Sequence, residues 1–181
     1  MIEEPKMRKT QYCFDFYPER CVQCHACEVA CKGWHGVELG VQWRRVTSIW
    51  SGEYPRVVSR SISLSCMHCG DPACERVCPS GAVSKREQDG VVCVDQRKCI
   101  GCRSCFLACP FGVPVFGKDG RMQKCELCTD RLEEGKEPIC VSTCPTEALR
   151  FGVMDDLAQQ KAANASARLL TFLIGKGLDR A

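Results

Sequence analysis

The chain lacks the features that most function classes require. Residues 1–10 are polar and charged, without the apolar stretch that opens an export signal. The longest late apolar run, residues 169–174, is far too short to span a bilayer. A soluble chain is therefore expected, exported, if at all, only as the passenger of a partner. There is no Gly-x-Gly-x-x-Gly after a strand, no P-loop and no Gly-x-Ser-x-Gly. No substrate-converting site of its own is expected. The carboxylates Glu133, Glu134 and Glu137 and the triplet Lys85-Arg86-Glu87 read as solvated, charged surface.

What the chain has in excess is cysteine, 18 in 181 residues. Hydrophobic residues make up 45%, an ordinary globular share, so one folded domain or two small ones are expected. A disulfide scaffold would need the oxidising compartment that the missing export signal denies it. The cysteines instead fall into four groups. Cys21, Cys24, Cys27 and Cys31 are spaced C-x2-C-x2-C-x3-C, and Cys99, Cys102, Cys105 and Cys109 repeat that spacing. Cys66, Cys69, Cys74 and Cys78 follow C-x2-C-x4-C-x3-C; Cys125, Cys128, Cys140 and Cys144 follow C-x2-C-x11-C-x3-C. Every group ends in C-x3-C, and Pro79, Pro110 and Pro145 follow the last cysteine in three of them.

This spacing carries iron–sulfur chemistry. A cubane offers four iron corners, and C-x2-C-x2-C wraps one short loop so that three thiolates converge on one cube. The fourth cysteine, three residues on, is carried away on a helical turn to another cluster, and the proline ends that turn. Zinc would leave the middle cysteine and the trailing C-x3-C unused and gives no reason for the repeated Cys-Pro. The formal charge of +3 is no sign of nucleic acid. Four oxidised clusters with their thiolates add roughly −8, making the assembled protein acidic.

Cys13 and Cys93 stand outside the groups, within strand candidates, and read as small buried hydrophobes. His25, His68 and His35 lie in or just after the cluster loops; with every corner supplied by cysteine, they read as groups that tune potential rather than ligands. Strands are expected over residues 11–16 and 90–95, and a pair over 41–50 and 56–65 around a turn. Helices within the cysteine groups should last about one turn before proline stops them. Residues 129–134 and 155–169 are the better helix candidates, the second a C-terminal helix docked outside the cluster core.

Three stretches resemble a known family: Cys66-Met-His-Cys69-Gly-Asp-Pro-Ala-Cys74 with Cys78-Pro-Ser-Gly-Ala-Val, Cys99-Ile-Gly-Cys102-Arg-Ser-Cys105, and Gly135-Lys-Glu-Pro-Ile-Cys140-Val-Ser-Thr-Cys144-Pro. They are similar to the four-cluster β subunits that serve molybdopterin oxidoreductases of the dimethyl sulfoxide reductase family. The resemblance implies an α+β fold of two bacterial-ferredoxin-like [4Fe–4S] units, one inserted in the other, with an extra β-hairpin and a C-terminal helix. Residues 1–60 and 112–152 would form the outer unit, 61–111 the inner unit and 153–181 a helical tail.

Together with ferredoxin logic, the resemblance implies a ligand map for four [4Fe–4S] clusters. Cys21, Cys24 and Cys27 share one with Cys144; Cys66, Cys69 and Cys74 share one with Cys109. Cys99, Cys102 and Cys105 take Cys78, and Cys125, Cys128 and Cys140 take Cys31. The implied partners are a large catalytic subunit bearing a molybdenum or tungsten pterin and a quinol-binding membrane anchor. The implied location is cytoplasmic, or exported folded beside a partner with a twin-arginine signal, with membrane association through the anchor. A hydrogenase or carbon monoxide dehydrogenase subunit and a freestanding polyferredoxin are the alternative readings. Three departures stand out. No ligand is replaced by tryptophan, as in relatives with a [3Fe–4S] cluster. The tail has no membrane helix of the kind formate dehydrogenase β subunits add. Cys31 is followed by Lys32 and not by proline.

Overall fold

The computed structural model describes residues 10–178, with side chains as far as Ile174. The reading of the N-terminal stretch concerns mainly residues 1–9, which lie outside this range. The chain is a mixture of short strands and short helices. Strand β1 (Tyr12–Phe16) pairs antiparallel with β8 (Leu149–Val153), Tyr12 opposite Val153 and Phe16 opposite Leu149. Everything between them is held inside that pairing. β2 (Arg45–Ser51) and β3 (Val58–Leu64) form the expected hairpin. β4 (Val83–Lys85) pairs with β5 (Val92–Val94), and β6 (Val115–Phe116) with β7 (Met122–Gln123).

The hairpin inverts the usual alternation. Ser61 and Ser63 of β3 are buried, whereas Ile49, Val58 and Ile62 face outward. Its turn requires Gly52, whose φ of +90° suits glycine and where a Cβ would collide with the Arg56 carbonyl.

The helices follow the cysteine groups. α2 (Ala73–Arg76), α3 (Ser104–Ala108) and α5 (Ile139–Ser142) last about one turn, as expected. Pro110 shows why: the residue before a proline is pushed out of the helical region, and Cys109 is extended, with ψ 114°. α1 (Ala26–Trp34) runs to nine residues because Lys32 follows Cys31 where the other groups have proline. The Lys32 ammonium then donates to the carbonyls of Glu38 (2.6 Å) and Val41 (2.7 Å), folding the next loop back onto the helix. α4 (Thr129–Glu133) lies where expected.

The C-terminal helix is longer than the stretch 155–169 that the residue pattern marks. α6 spans Met154–Leu178, far beyond residue 169. Among its described side chains only Leu157 is buried, packed against Gly152, and Lys161 pairs with the buried Asp15. It docks by its first two turns, because apolar residues recur only from Leu169 onward and there they stay exposed. No helix among the described residues is long and apolar enough to cross a membrane.

The interior is small for the length of chain. Val83, Val92, Cys105 and Met122 form one apolar knot, with Cys74, Cys78, Cys99 and Phe116 packed on it. Cys31, Cys125, Cys128 and Cys140 are buried as well. Strand pairs of two or three residues have little independent stability; they are set around sulfur instead of around a continuous hydrocarbon core.

Candidate metal centres

Each C-x2-C loop bends the same way. The residue just before its second cysteine has positive φ in all four: Gln23 (+59°), His68 (+46°), Gly101 (+69°) and Leu127 (+60°). In the two C-x2-C-x2-C loops the residue after the second cysteine is left-handed as well, His25 (+58°) and Arg103 (+65°). A non-glycine residue is disfavoured there by about 1–2 kcal/mol. Left-handed residues in such turns aim neighbouring amides to one side, the arrangement of an anion-binding nest; in the fourth loop two successive residues, Leu127 and Cys128 (+51°), are left-handed. Only Gly101 carries a composition signal for this bend; the other three were not legible in the sequence.

The nests bring cysteines of different groups together. Burial drives the Cys31 thiol far above its ordinary range, and Cys125, Cys140 and Cys128 push it further. Cys31 of the first group thus stands among the fourth. Cys74 is pushed up to about 11 by burial, by Cys66 and, to a smaller extent, by Cys109 and Cys69. Cys78, Cys99, Cys102 and Cys105 line one small cavity floored by Val83, Phe116 and Met122. The Cys144 corner lies beside the turn leading into Cys21, where Tyr17 N–H donates to the Ala148 carbonyl (2.7 Å) and Arg20 faces Glu147 (4.0 Å).

Backbone amides point at several sulfurs: Ala82 N–H at Cys78 (3.3 Å), Met122 N–H at Cys99 (3.3 Å) and Leu127 N–H at Cys125 (3.4 Å). Cys78 and Cys144 are built alike, on Cys-Pro-Ser-Gly-Ala-Val and Cys-Pro-Thr-Glu-Ala-Leu. In both, partial burial raises the thiol pKa, but amides two to five residues on and the Ser80 or Thr146 hydroxyl outweigh it. Both thiols end below their ordinary range.

The donor set fits an iron–sulfur core. All eighteen cysteines are free thiols. Among the described residues, two buried N–H groups, Arg44 Nε and His68 Nε2, lack an acceptor. Inorganic sulfide is the kind of acceptor such donors take.

Comparison with known proteins agrees. The description "4Fe-4S dicluster domain" matches residues 57–154, and "4Fe-4S binding domain" matches residues 18–34. The sequence is 46% identical over 160 residues to a chain of the anaerobic dimethyl sulfoxide reductase of Escherichia coli K12, covering 83% of this protein and 78% of that one. It is 38% identical over 178 residues to the formate dehydrogenase iron-sulfur subunit of Wolinella succinogenes, covering 86% of each. A sulfite dehydrogenase subunit of Allochromatium vinosum is 38% identical over 158 residues, 75% of this protein and 66% of that one. This chain belongs to the family of iron–sulfur electron-transfer subunits. It is part of an oxidoreductase complex and relays electrons there without being the catalytic member.

The histidines of this iron–sulfur subunit take three different places. His25 is exposed and meets Glu28 (2.8 Å). His35 places Nε2 3.1 Å from the Cys128 sulfur, with Nδ1 3.4 Å from Glu126 and its ring against Trp43. His68 is buried and its Nδ1 accepts the Val92 amide (3.0 Å), so Nε2 carries the proton. Burial, then Lys124, Lys85 and Arg44, hold His68 neutral. Cys13 and Cys93 are half-buried in β1 and β5, and burial raises both thiols.

Lys85 departs from its expected solvated role. Its ammonium donates to Gln11 Oε1 and to the carbonyls of Cys69 (2.8 Å) and Gly70 (3.0 Å), clamping the loop of the second group. Lys124, which the sequence did not single out, is buried and donates to the carbonyls of Val92 and Cys125. Arg86 and Glu133 do meet at the surface (3.4 Å), and Lys136 meets Glu134 (2.7 Å).

Proposed function

We propose that the subunit holds four [4Fe–4S] clusters and relays single electrons between a molybdenum or tungsten pterin catalytic subunit and a quinol-linked membrane anchor. When bound, each cluster supplies a one-electron redox centre. The ligand sets are Cys21, Cys24, Cys27 and Cys144; Cys66, Cys69, Cys74 and Cys109; Cys99, Cys102, Cys105 and Cys78; and Cys125, Cys128, Cys140 and Cys31. The observation that carries this reading is the left-handed bend shared by four cysteine loops, with cysteines of different groups meeting beside them.

The β1–β8 pairing, which brackets the β4–β5 pair in sequence, supports an outer unit of residues 1–60 and 112–152 with 61–111 inserted in it. The catalytic partner is drawn from the relatives, whose names place them in dimethyl sulfoxide reductase, formate dehydrogenase and sulfite dehydrogenase. The outward apolar side of the β2–β3 hairpin, with Trp50 and Tyr54 near its tip, is suited to a protein partner. The chain's place is then the cytoplasm, or the far side of the membrane as a folded passenger, held at the membrane through the anchor.

Anaerobic iron, sulfide and zinc analysis with EPR after dithionite reduction tests the reading. About sixteen irons and sixteen sulfides with interacting S = ½ signals are expected. Zinc without sulfide overturns it. Co-purification with a pterin-bearing large subunit is expected; a stable monomer active as a soluble donor favours a polyferredoxin instead.

A further inference from the structure

Arg44 is the least expected residue of the interior. Its side chain is 2% exposed, and among the described residues no carboxylate pairs with it. Burying an unpaired guanidinium is costly unless negative charge lies close by. It donates to two neutral hydroxyls, Nη1 to Ser63 Oγ (3.0 Å) and Nη2 to Ser65 Oγ (2.8 Å), and the guanidinium lies over the Phe14 ring (4.4 Å). Nε–H has no acceptor.

The surroundings supply the missing negative charge. Guanidinium only donates, so Ser63 must accept from Arg44. The Ser63 hydroxyl hydrogen is then free for the Cys27 sulfur, 3.5 Å away. A line of donors therefore runs from Arg44 through Ser63 to Cys27. The guanidinium also lies within electrostatic reach of the buried Cys140 and Cys125 and, more weakly, of Cys27 and Cys31. Burial raises the Cys140 thiol pKa, and Arg44 opposes that as a charge and as a donor. Cys27 and Cys140 belong to different ligand sets, so one buried cation acts on thiols of two of the proposed clusters.

We propose that Arg44 sets the reduction potentials of the two outer clusters, holding both above the values they would have without it. The inference rests on the ligand sets given above. A fixed positive charge in a low-dielectric interior favours the more negative, reduced form. The same charge serves both sites, keeping them at similar potential so that neither traps the electron. Arg44 is a positioning and tuning residue; it is not a ligand.

Potentiometric EPR titration of the intact complex tests this with Arg44→Met, which keeps length and bulk but removes the charge. Two of the four clusters are expected to become at least tenfold harder to reduce, a fall of about 59 mV or more for a one-electron couple. The other two should move less than threefold, and Arg44→Lys should restore most of the loss. Ser63→Ala, which leaves the cation in place, should lower one cluster alone. It decides the matter if Arg44→Met does not assemble: no shift of any cluster in Ser63→Ala would leave Arg44 only a packing role. Full iron content with unmoved potentials in Arg44→Met overturns the role of Arg44. Fewer than about sixteen irons in the unsubstituted complex overturns the ligand sets instead.

Discussion

The nest of Cys31, Cys125, Cys128 and Cys140 and the nest of Cys78, Cys99, Cys102 and Cys105 solve one problem in opposite ways. In the first, all four cysteines are buried; in the second, Cys102 is exposed and Cys78 and Cys99 are half-buried. Burial pushes Cys125 up to about 11 and Cys128 to about 12. Cys102 is drawn below its ordinary range by the Ser104 hydroxyl and amide, and Cys78 by its own loop amides. A buried thiolate needs a cation close by, and Arg44 is there. A thiolate near water needs only local amide and hydroxyl dipoles. The difference suits a relay, whose interior stations must be shielded and whose outermost must approach a partner. Around the second nest, Ile100, Phe106 and Leu107 are exposed apolar side chains beside Cys102.

The sharpest way to break this contrast is to remove one thiol from each nest. Cys140→Ser should leave the Arg44 charge unmatched and deprive the centre of the fold of its support. The melting temperature of the anaerobic protein should fall by roughly 10 °C or more, with iron lost from more than one site. Cys102→Ser should lower it by about a third as much and remove one cluster's EPR signal. Equal effects would show that burial does not distinguish the two nests.

Next in size is Lys85→Met, which removes three hydrogen bonds that tie the second group's loop to β4 and to Gln11, just before β1. A loss of about 2 kcal/mol is expected, visible in chemical denaturation, with faster amide exchange at Cys69 and Gly70. Leu157→Ala should lower the stability of the α6 attachment by about 2 kcal/mol while iron content stays full, since neither nest draws a ligand from that helix. Loss of iron in this variant would make α6 part of the cluster framework.

The smallest effect concerns the Lys161–Asp15 pair, in which Asp15 is buried and Lys161 is half exposed. Lys161→Met should cost about 1 kcal/mol after allowance for solvent screening. Hydrogen bonding to Asp15 raises the Lys161 pKa above its ordinary 10.5. The contribution is therefore fully present below pH 10.5 and disappears as pH rises through the elevated value. The stability difference between the two proteins, measured by denaturation, should be constant from neutrality to about pH 10 and vanish above it.

Much of the local structure is legible in the sequence. The β1 and β5 strands, the hairpin and the Cys-Pro stops follow from short-range rules about alternation, turn residues and the residue before proline. The length of α1 is hidden in one substitution, Lys32 where the other groups carry proline, and its effect runs through carbonyls six and nine residues away. The residue pattern ends the last helix at 169 because the apolar side chains from Leu169 onward stay exposed and mark no docked face; a tail running further comes only from the family resemblance. Lys85 reads as solvated because a triplet of charged residues says nothing about the Cys69 and Gly70 carbonyls that converge on one of them.

By itself the sequence determined the chemistry. Four groups of closely spaced thiols are a local property, and the reach of a two-residue loop limits what they bind. The tertiary structure alone decided which thiols are shielded, which loops adopt the left-handed bend, and where Arg44 and Lys124 are buried. Those outcomes depend on strands and loops far apart in the chain, and burial, unlike spacing, exists only once they have met.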